Sequence, residues 1–373
     1  MILSRYVAYL FLRALVIVAT IFLIILFLIE MVEQVRRFSD ESVSLATAAH
    51  LSLLNIMGSF YSILPLITNL AAISLFLGLA RTSQLVAIRA SGRSGLRIIL
   101  APAVTAALAG VLAVAILNPI VAATQKQYEQ LVSRVESHRG EAISLGGTSV
   151  WLRQALRIPL PNGKEEIGQV VIRATRASAD ATTLYGTTFM LFTPEQGPIG
   201  RIDAKEARLE KGEWKLTDTK EWPLTAANPE LAATTAPTRT IPTDLTADRI
   251  RDGFGRPDAV PIWQLPGFIR GIERAGFSAQ RYRVWFQMEL ALPLMLAAMV
   301  VVAAVFTMGH TRGRKLGVAV LSAFASGLLL FFLRNMAEVL GNNGSIPPEL
   351  VGLAPPLVAM FLALGVVLQL EDG

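Results

Sequence analysis

Apolar residues are concentrated in long runs at the two ends of the chain, and a long polar stretch separates them. A helix needs about 20 apolar residues to cross the hydrocarbon core, because backbone groups in lipid must bond within their own segment. Three runs before the polar stretch and three after it reach this length. They are 7–29, 51–80, 98–117, 286–308, 316–340 and 350–370. The pattern therefore predicts an α-helical polytopic membrane protein with six transmembrane helices.

Two of these runs contain residues that disturb a regular helix. The second run carries Asn55, Pro65 and Asn69, so we expect it to bend. The third run is followed by Asn118-Pro119, which predicts that its helix ends there.

The polar middle has the sequence features of an all-β domain. Stretches 169–175, 184–192 and 207–216 are rich in Val, Ile, Thr and aromatic residues, and the last contains a turn signal at Lys211-Gly212. Residues 226–243 are rich in Ala, Thr and Pro and predict an irregular loop, whereas 263–274 has the pattern of an amphipathic helix near the membrane surface. The predicted domains are 1–119, 120–282 and 283–373.

The charges of the short loops predict the orientation. The loop 81–97 holds four arginines and no acid, and the loop after the fourth span holds Arg312, Arg314 and Lys315 without an acid. Cytoplasmic loops of membrane proteins carry an excess of Lys and Arg. Both basic loops and both termini are thus predicted to be cytoplasmic, and the β insert lies on the other side.

Composition supports a membrane protein and argues against several chemistries. Hydrophobic residues make up 53% of the chain, charged residues 17%, and mean hydropathy is +0.51. The net charge of +6 reflects the basic loops rather than nucleic-acid binding. The chain has no cysteine, its three histidines lack metal-ligand spacing, and it contains no P-loop, nucleophile elbow or zinc-protease helix. We therefore expect no enzyme activity, metal or cofactor.

The first basic loop predicts a short helix. Ser83 is placed to cap it, Gly92 to end it, and Leu85, Val86 and Ile88 form an apolar side. The helix could dock into a groove on a cytoplasmic partner, or the segment could be an ordinary basic loop.

Charged residues at and within the helices form two further candidate sites. Arg36 and Arg37 end the first span and could bind phosphate groups, or else anchor the helix at the interface by pairing with acids such as Glu33. Glu289, Arg334 and Glu338 lie within spans, where an unpaired charge costs about 3 kcal/mol. Arg334 and Glu338 could pair with each other, or the three could line a cavity.

Several short sequences in a fixed order resemble one family of membrane proteins, the LptF/LptG permeases of the lipopolysaccharide-export ABC transporter, and the G-type subunit more than the F-type. The resemblance runs nearly end to end and is weakest in the β insert. The sequences are Arg5-Tyr6, 32–37, Ala71-Ala72, 77–79, 83–86, 90–92, 280–282 and 346–348.

The resemblance implies a periplasmic jellyroll-like domain, open like a gutter, and a location in the bacterial inner membrane. It implies four partners: a homologous F-type permease subunit, a cytoplasmic ABC ATPase dimer that hydrolyses ATP, a bitopic periplasmic jellyroll partner like LptC, and lipopolysaccharide. The cargo would leave the inner membrane and enter a periplasmic bridge toward the outer membrane.

The resemblance also implies roles for individual residues. The family's ATPase-coupling helix maps onto 83–92, which includes Ser83, Gln84, Leu85, Val86, Ile88 and Arg89, and its lipid-headgroup contacts map onto Arg36 and Arg37. The chain departs from the family pattern at Gln84, where an acid is usual, and at Glu30, where the G subunit can carry lysine.

Two other function classes remain open. One is a non-transport envelope scaffold that uses the β domain to bind a periplasmic partner. The other is an ion-coupled transporter, which would need carboxylates near the middle of several spans, and only Glu289 and Glu338 come close. A stoichiometric ATPase in the purified protein would argue against both.

Overall fold

The computed structural model divides the chain into two compact units. One contains Met1–Leu131, Pro257–Trp263 and Gln280–Gly373, and the other contains Val132–Arg256 and Gln264–Ala279. The residues that the structure describes are 2–37, 45–90, 94–135, 142–146, 149–159, 165–178, 182–193, 197–210, 212–243, 245–246, 250, 255–274, 277–308 and 316–372. The domain boundaries given above stay a prediction.

Ten α-helices occur in the described part of the chain. They are α1 (Ile2–Arg37), α2 (Leu45–Ser62), α3 (Leu64–Arg81), α4 (Gln84–Ala90), α5 (Gly95–Leu112), α6 (Asn118–Val135), α7 (Leu265–Arg274), α8 (Gln280–Thr307), α9 (Leu316–Asn342) and α10 (Pro348–Asp372). Six helical segments are long and apolar enough to cross a membrane, which confirms the predicted number of spans. These segments are Ile2–Arg37, Leu64–Arg81, Gly95–Val132, Gln280–Thr307, Gly317–Asn342 and Pro348–Gln369.

The second predicted span is two helices rather than one bent helix. Ile63, with φ −95° and ψ 5°, separates α2 from α3, and Pro65 lies in the first turn of α3. The first amides of a helix have no partner within the helix, so the N–H that proline lacks is not missed there.

The prediction that Asn118-Pro119 ends the third span is wrong. A π-helical segment, Ala113–Leu117, joins α5 to α6, and the helical span continues to Val132. A π turn already interrupts the regular ladder of hydrogen bonds, so a proline directly after it costs the helix little further bonding.

The helix α8 is the centre of the helical unit. It packs against α3, α5, α9 and α10, and most of its apolar span is buried. Glycines allow the neighbouring helices to come close: a Cβ atom on Gly110 would overlap the backbone of Pro293, and one on Gly352 would overlap the backbone of Gln287. Small residues at such crossings are how membrane helices gain packing contacts without a hydrophobic driving force between them.

The second unit contains one antiparallel sheet of seven strands, arranged in chain order. The strands are β1 (Ala142–Gly146), β2 (Ser149–Pro159), β3 (Glu165–Ala177), β4 (Thr183–Thr193), β5 (Gly197–Glu210), β6 (Glu213–Pro223) and β7 (Thr234–Pro242). This confirms the β insert. The predicted strands fall within β3, β4 and the β5–β6 hairpin, whose turn contains Gly212 with φ 83°.

Two predictions outside the main strands have different outcomes. The irregular loop predicted for 226–243 is wrong for its second half, because β7 pairs with β6 there. Its prolines misled the prediction, but β7 is an edge strand, where a missing N–H is tolerated. The amphipathic helix predicted for 263–274 is confirmed by α7, in which Leu265, Ile269 and Ile272 are buried.

The sheet is strongly curved. Trp214 in β6 donates from Nε1 to Oε1 of Gln154 in β2 at 3.4 Å, and Thr243 after β7 donates to the same oxygen at 2.6 Å. Three strands lie between β2 and β6 in the sheet. The sheet must therefore curl until its two halves meet, and the open gutter that the family resemblance implied stays a prediction.

A line of unpaired positions crosses the sheet. In each of five strands, one residue has no paired residue in the neighbouring strand. Beyond this residue, the alternation of buried and exposed side chains is shifted by one position along the strand. The skipped residues are Thr175, Gly186, Lys205, Asp218 and Pro237. Gly186 and Asp218 have φ 58°, a left-handed conformation that glycine adopts without strain.

Candidate functional site

The helix α4 follows α3 after a tight turn. Thr82 donates from its backbone N–H to Gly78 O at 3.1 Å, and Ser83 donates to Ala80 O at 3.2 Å. Ser83 has φ 56°, whereas a serine that caps a helix adopts an extended backbone, so its predicted capping geometry is wrong. Gly92, the predicted end of the helix, lies outside the described residues.

The apolar side of α4 faces the chain's own helices. Leu85 and Ile88 are both buried in the main hydrophobic cluster, together with residues of α3 and α5. They hold α4 against the bundle and are not available to enter a partner's groove. Of the remaining side chains of α4 that the structure describes, Ala87 is exposed and Gln84 is half-buried. The side chains of Val86 and Arg89 lie outside what the structure describes.

A groove between α1 and α3 leads to Gln84. It has a volume of about 350 Å³, and Tyr6, Arg13, Ser74 and Thr82 contribute its polar atoms. Tyr6 donates its hydroxyl to Gln84 Oε1 at 3.3 Å. Because a carboxamide accepts this bond as a carboxylate would, Gln84 keeps a defined position at the start of α4.

The two arginines at the end of α1 have different surroundings. Arg36 pairs with Glu33 at 3.1 Å and is largely exposed. Arg37 donates from Nη1 to the hydroxyl of Tyr128 in α6 at 3.3 Å, and Gln34 donates to the same hydroxyl at 3.1 Å. Arg37 is thus oriented by a second helix, and the pair of Arg36 with Glu33 lies within α1.

A buried polar cluster lies at the centre of the helical unit. Glu289 of α8 is 1% exposed, and its Oε2 accepts hydrogen bonds from the hydroxyl of Tyr61 in α2 and from Nδ2 of Asn118 at 3.1 Å. Asn118 Oδ1 accepts from the backbone N–H of Ile262 at 2.9 Å. Segments α2 and α6 therefore donate directly to the carboxylate of α8, and a fourth segment is linked to it through Asn118.

The predicted charges of α9 belong to the same cluster. Arg334 interacts electrostatically with Glu338 four residues later, and also with Glu289 and Tyr61. Pairing within α9 is therefore only part of its role. The positive charge of Arg334 also compensates Glu289 across the boundary between α8 and α9, as an intramembrane carboxylate requires.

An apolar groove runs between α9 and α10, with α8 as its floor. Its volume is about 890 Å³, and its lining includes Phe306, Leu330, Leu333, Val358 and Leu362. Glu289, Arg334 and Glu338 are not among the residues that line this groove.

Comparison with known proteins identifies the family of this chain. Residues 5–369 match the lipopolysaccharide export system permease LptF/LptG family. The chain belongs to this family. It is 25% identical over 342 residues to the lipopolysaccharide export system permease protein LptG of Escherichia coli strain K12, covering 90% of this chain and 89% of that protein. It is 23% identical over 343 residues to LptG of Haemophilus influenzae, with the same coverage.

In this LptF/LptG permease, the predicted residues lie in three separate places. Ser83, Gln84, Leu85 and Ile88 belong to α4 and its turn, Arg36 and Arg37 to the end of α1, and Glu289, Arg334 and Glu338 to the buried cluster. Arg312, Arg314 and Lys315 lie outside the described residues. The roles of all these residues stay predictions.

The sequence prediction missed two members of the buried cluster, Tyr61 and Asn118. Asn118 was interpreted only as a helix terminator, because it precedes a proline. Its signal was present all the same: a polar amide directly after an apolar run of transmembrane length is costly unless it has a buried partner.

Proposed function

We propose that this chain is the G-type permease subunit of an ABC transporter that extracts lipopolysaccharide from the inner membrane and passes it to a periplasmic bridge toward the outer membrane. It pairs with an F-type permease subunit, a cytoplasmic ATPase dimer and a bitopic periplasmic partner like LptC. The carrying observation is the family match over 5–369, which spans both the helices and the β insert. The six spans and the inserted antiparallel sheet agree with it.

The charge of the loops supports an orientation for this permease. Arg81 and Arg97 flank the α4 segment and are exposed, and loop 81–97 contains no acid. By the positive-inside rule this loop faces the cytoplasm, together with both termini. The β unit then lies in the periplasm, where the cargo leaves the membrane.

The apolar character of both units fits the physical demand of moving a lipid. Each methylene group exposed to water costs about 0.8 kcal/mol, so a lipid with several acyl chains has to remain covered along its route. The inner side of the sheet is apolar, with Ile172, Phe189 and Ile202 buried there. An apolar inner side is the kind of surface that such a cargo requires.

The exposed side of α4 is the surface that we assign to the ATPase. Leu85 and Ile88 fix α4 to the bundle, so a force applied to Gln84 and Ala87 reaches α3 directly. This rigid attachment is what coupling requires, because a loosely attached loop would move without moving the spans.

Photocrosslinking tests the proposed route. Leu191 of β4 shares the inner side of the sheet with Phe189 and is half-buried, whereas its neighbour Met190 lies on the opposite side. A photoreactive residue at 191 should capture glycolipid in living cells only while the ATPase is active, and one at 190 should capture little. Equal capture with and without an active ATPase would contradict the proposal.

Co-purification separates the export function from a scaffold. The tagged chain, purified in mild detergent, should carry a cytoplasmic ATPase in stoichiometric amount. A complex that contains periplasmic partners and no ATPase would instead support an envelope scaffold.

A further inference from the structure

A second polar cluster lies near the outer end of α1, separate from Glu289. It is formed where α1, α2 and α6 meet, and each helix contributes two polar residues from one of its faces. These residues are Glu30 and Gln34 of α1, Asn55 and Ser59 of α2, and Gln125 and Tyr128 of α6.

Only neutral groups donate the hydrogen bonds found at Glu30. Asn55 Nδ2 donates to Glu30 Oε2 at 2.8 Å, and Ser59 Oγ donates to Glu30 Oε1 at 2.8 Å. Gln125 Nε2 in turn donates to Asn55 Oδ1 at 3.3 Å. The bonds therefore orient the carboxylate between two helices.

The cluster has more acceptors than donors. Within the described chain, Gln34 Oε1 and Gln125 Oε1 are buried atoms without a hydrogen-bond partner. Their residues are 2% and 1% exposed. Buried acceptors without a donor are unfavourable, so this arrangement persists best when something supplies the missing donors.

The position of Gln125 is built into the packing of the helices. A Cβ atom on Gly58 of α2 would overlap the Gln125 side chain, so the carboxamide enters the space that glycine leaves. Glu30, Asn55 and Ser59 are half-buried, and the neighbouring Leu28, Ile29 and Val32 of α1 are exposed apolar residues. The Glu30 side of the cluster is therefore partly exposed next to the lipid-facing residues of α1, whereas the two unpaired amide oxygens are buried behind the surface.

We propose that this cluster binds the primary ammonium group of a lipid headgroup. An ammonium group offers three N–H donors and a positive charge, which match a carboxylate and two unpaired amide oxygens. A metal ion fits less well, because the six residues supply a single carboxylate and every other ligand would be neutral. Arg37 lies seven residues further along α1, about 10 Å by the helical rise, within reach of a phosphate on the same headgroup.

Lipid competition on the purified full chain tests the proposal. Phosphatidylethanolamine should bind about fivefold to tenfold more tightly than its N-acetylated form with the same acyl chains, as expected for hydrogen bonds to a charged group. Glu30→Gln should abolish this preference, and Gln125→Glu should increase it. Glu33→Gln is the matched control, because Glu33 lies on the same helix but is exposed and pairs with Arg36.

The outcomes are distinct. The proposal is overturned if Glu30→Gln still prefers phosphatidylethanolamine to its N-acetylated form, or if the natural chain binds both lipids equally. Water would then be the partner of the two free amide oxygens. Comparing lipopolysaccharide before and after N-acetylation of its headgroup amines shows whether the cargo or a membrane lipid is the preferred source. The inference goes beyond the export function, whose failure would show separately as the absence of an ATPase from the purified complex.

Discussion

Asn118 Nδ2 lies 3.1 Å from Glu289 Oε2, and the other end of the same carboxamide binds the backbone of Ile262. Asn118 begins α6, the helix that precedes the β insert in the chain, and Ile262 lies in the segment that returns from it. One buried side chain thus joins the helix before the sheet and the segment Pro257–Trp263 after it to the central helix α8. This makes Asn118 a structural link as well as part of the charged cluster.

Asn118→Leu should destabilise the helical unit by about 3 kcal/mol, because it removes two buried hydrogen bonds, one of them to a carboxylate. Thermal unfolding of the purified protein in detergent would measure the loss. Asn343→Ala is the control, because Asn343 is exposed. Equal stability of the two variants would contradict the assigned role of Asn118.

Gly327→Ala should separate α9 from α3. A Cβ atom on Gly327 would overlap the side chain of Asn69, which is fully buried. The expected cost is about 1–3 kcal/mol of stability, as for overpacking in a protein core. Gly317→Ala on the same helix meets no atom within 4 Å and should be neutral or slightly stabilising. Thermal unfolding of both variants would decide, and a neutral Gly327→Ala would refute the close approach.

Two substitutions in α4 should separate folding from ATPase binding. Leu85→Asp places a charge in the apolar cluster and should cost about 3 kcal/mol or more of stability. Ala87→Asp changes an exposed position and should release the ATPase while thermal stability remains unchanged. The measurements are ATPase content after purification and the midpoint of unfolding. Retention of the ATPase by Ala87→Asp would disprove the assignment of this surface.

Gly186→Ala should destabilise the β unit by about 1–2 kcal/mol, the cost of a left-handed backbone for a residue with a side chain. Its new methyl group would also overlap Thr175 Oγ1. Gly200→Ala in the neighbouring strand would make only ordinary contacts and serves as the control. Limited proteolysis of the full chain would report the difference. Equal digestion rates would mean that the strands do not need the skipped position at Gly186.

The loop before β7 should respond to acid. Hydrogen bonds from Lys220 and Trp222 lower the pKa of the Glu230 carboxyl below its usual value. A lowered pKa in the folded state means that the interaction stabilises the loop above the ordinary glutamate pKa and is lost as pH falls through the lowered value. Trp222 fluorescence should therefore change at a pH below the usual glutamate range. Glu230→Gln should remove that transition, and its persistence would assign the change to another group.

The sequence predicted several parts of the candidate site, but not the contacts between them. Arg36, Glu289 and Arg334 were recognised as unusual because charge is rare in apolar helices. Glu33 and Glu338, which are near Arg36 and Arg334 in the chain, were predicted as partners. The partners of Glu289 could not be predicted, since Tyr61 and Asn118 lie far from it in the chain and no local pattern links them. The apolar side of α4 was predicted as well, but its burial in the chain's own bundle reversed the role expected for Leu85 and Ile88.

The number of spans, the class of the insert and the family follow from the sequence by itself, because transmembrane length, strand composition and the order of short motifs are local properties of the chain. Tertiary structure alone decided that the helix continues past Pro119, that the sheet curls until Trp214 reaches Gln154, and that four segments meet at Glu289. Each of these depends on contacts between residues distant in sequence, whose free energies are set by packing and buried hydrogen bonds rather than by local preference.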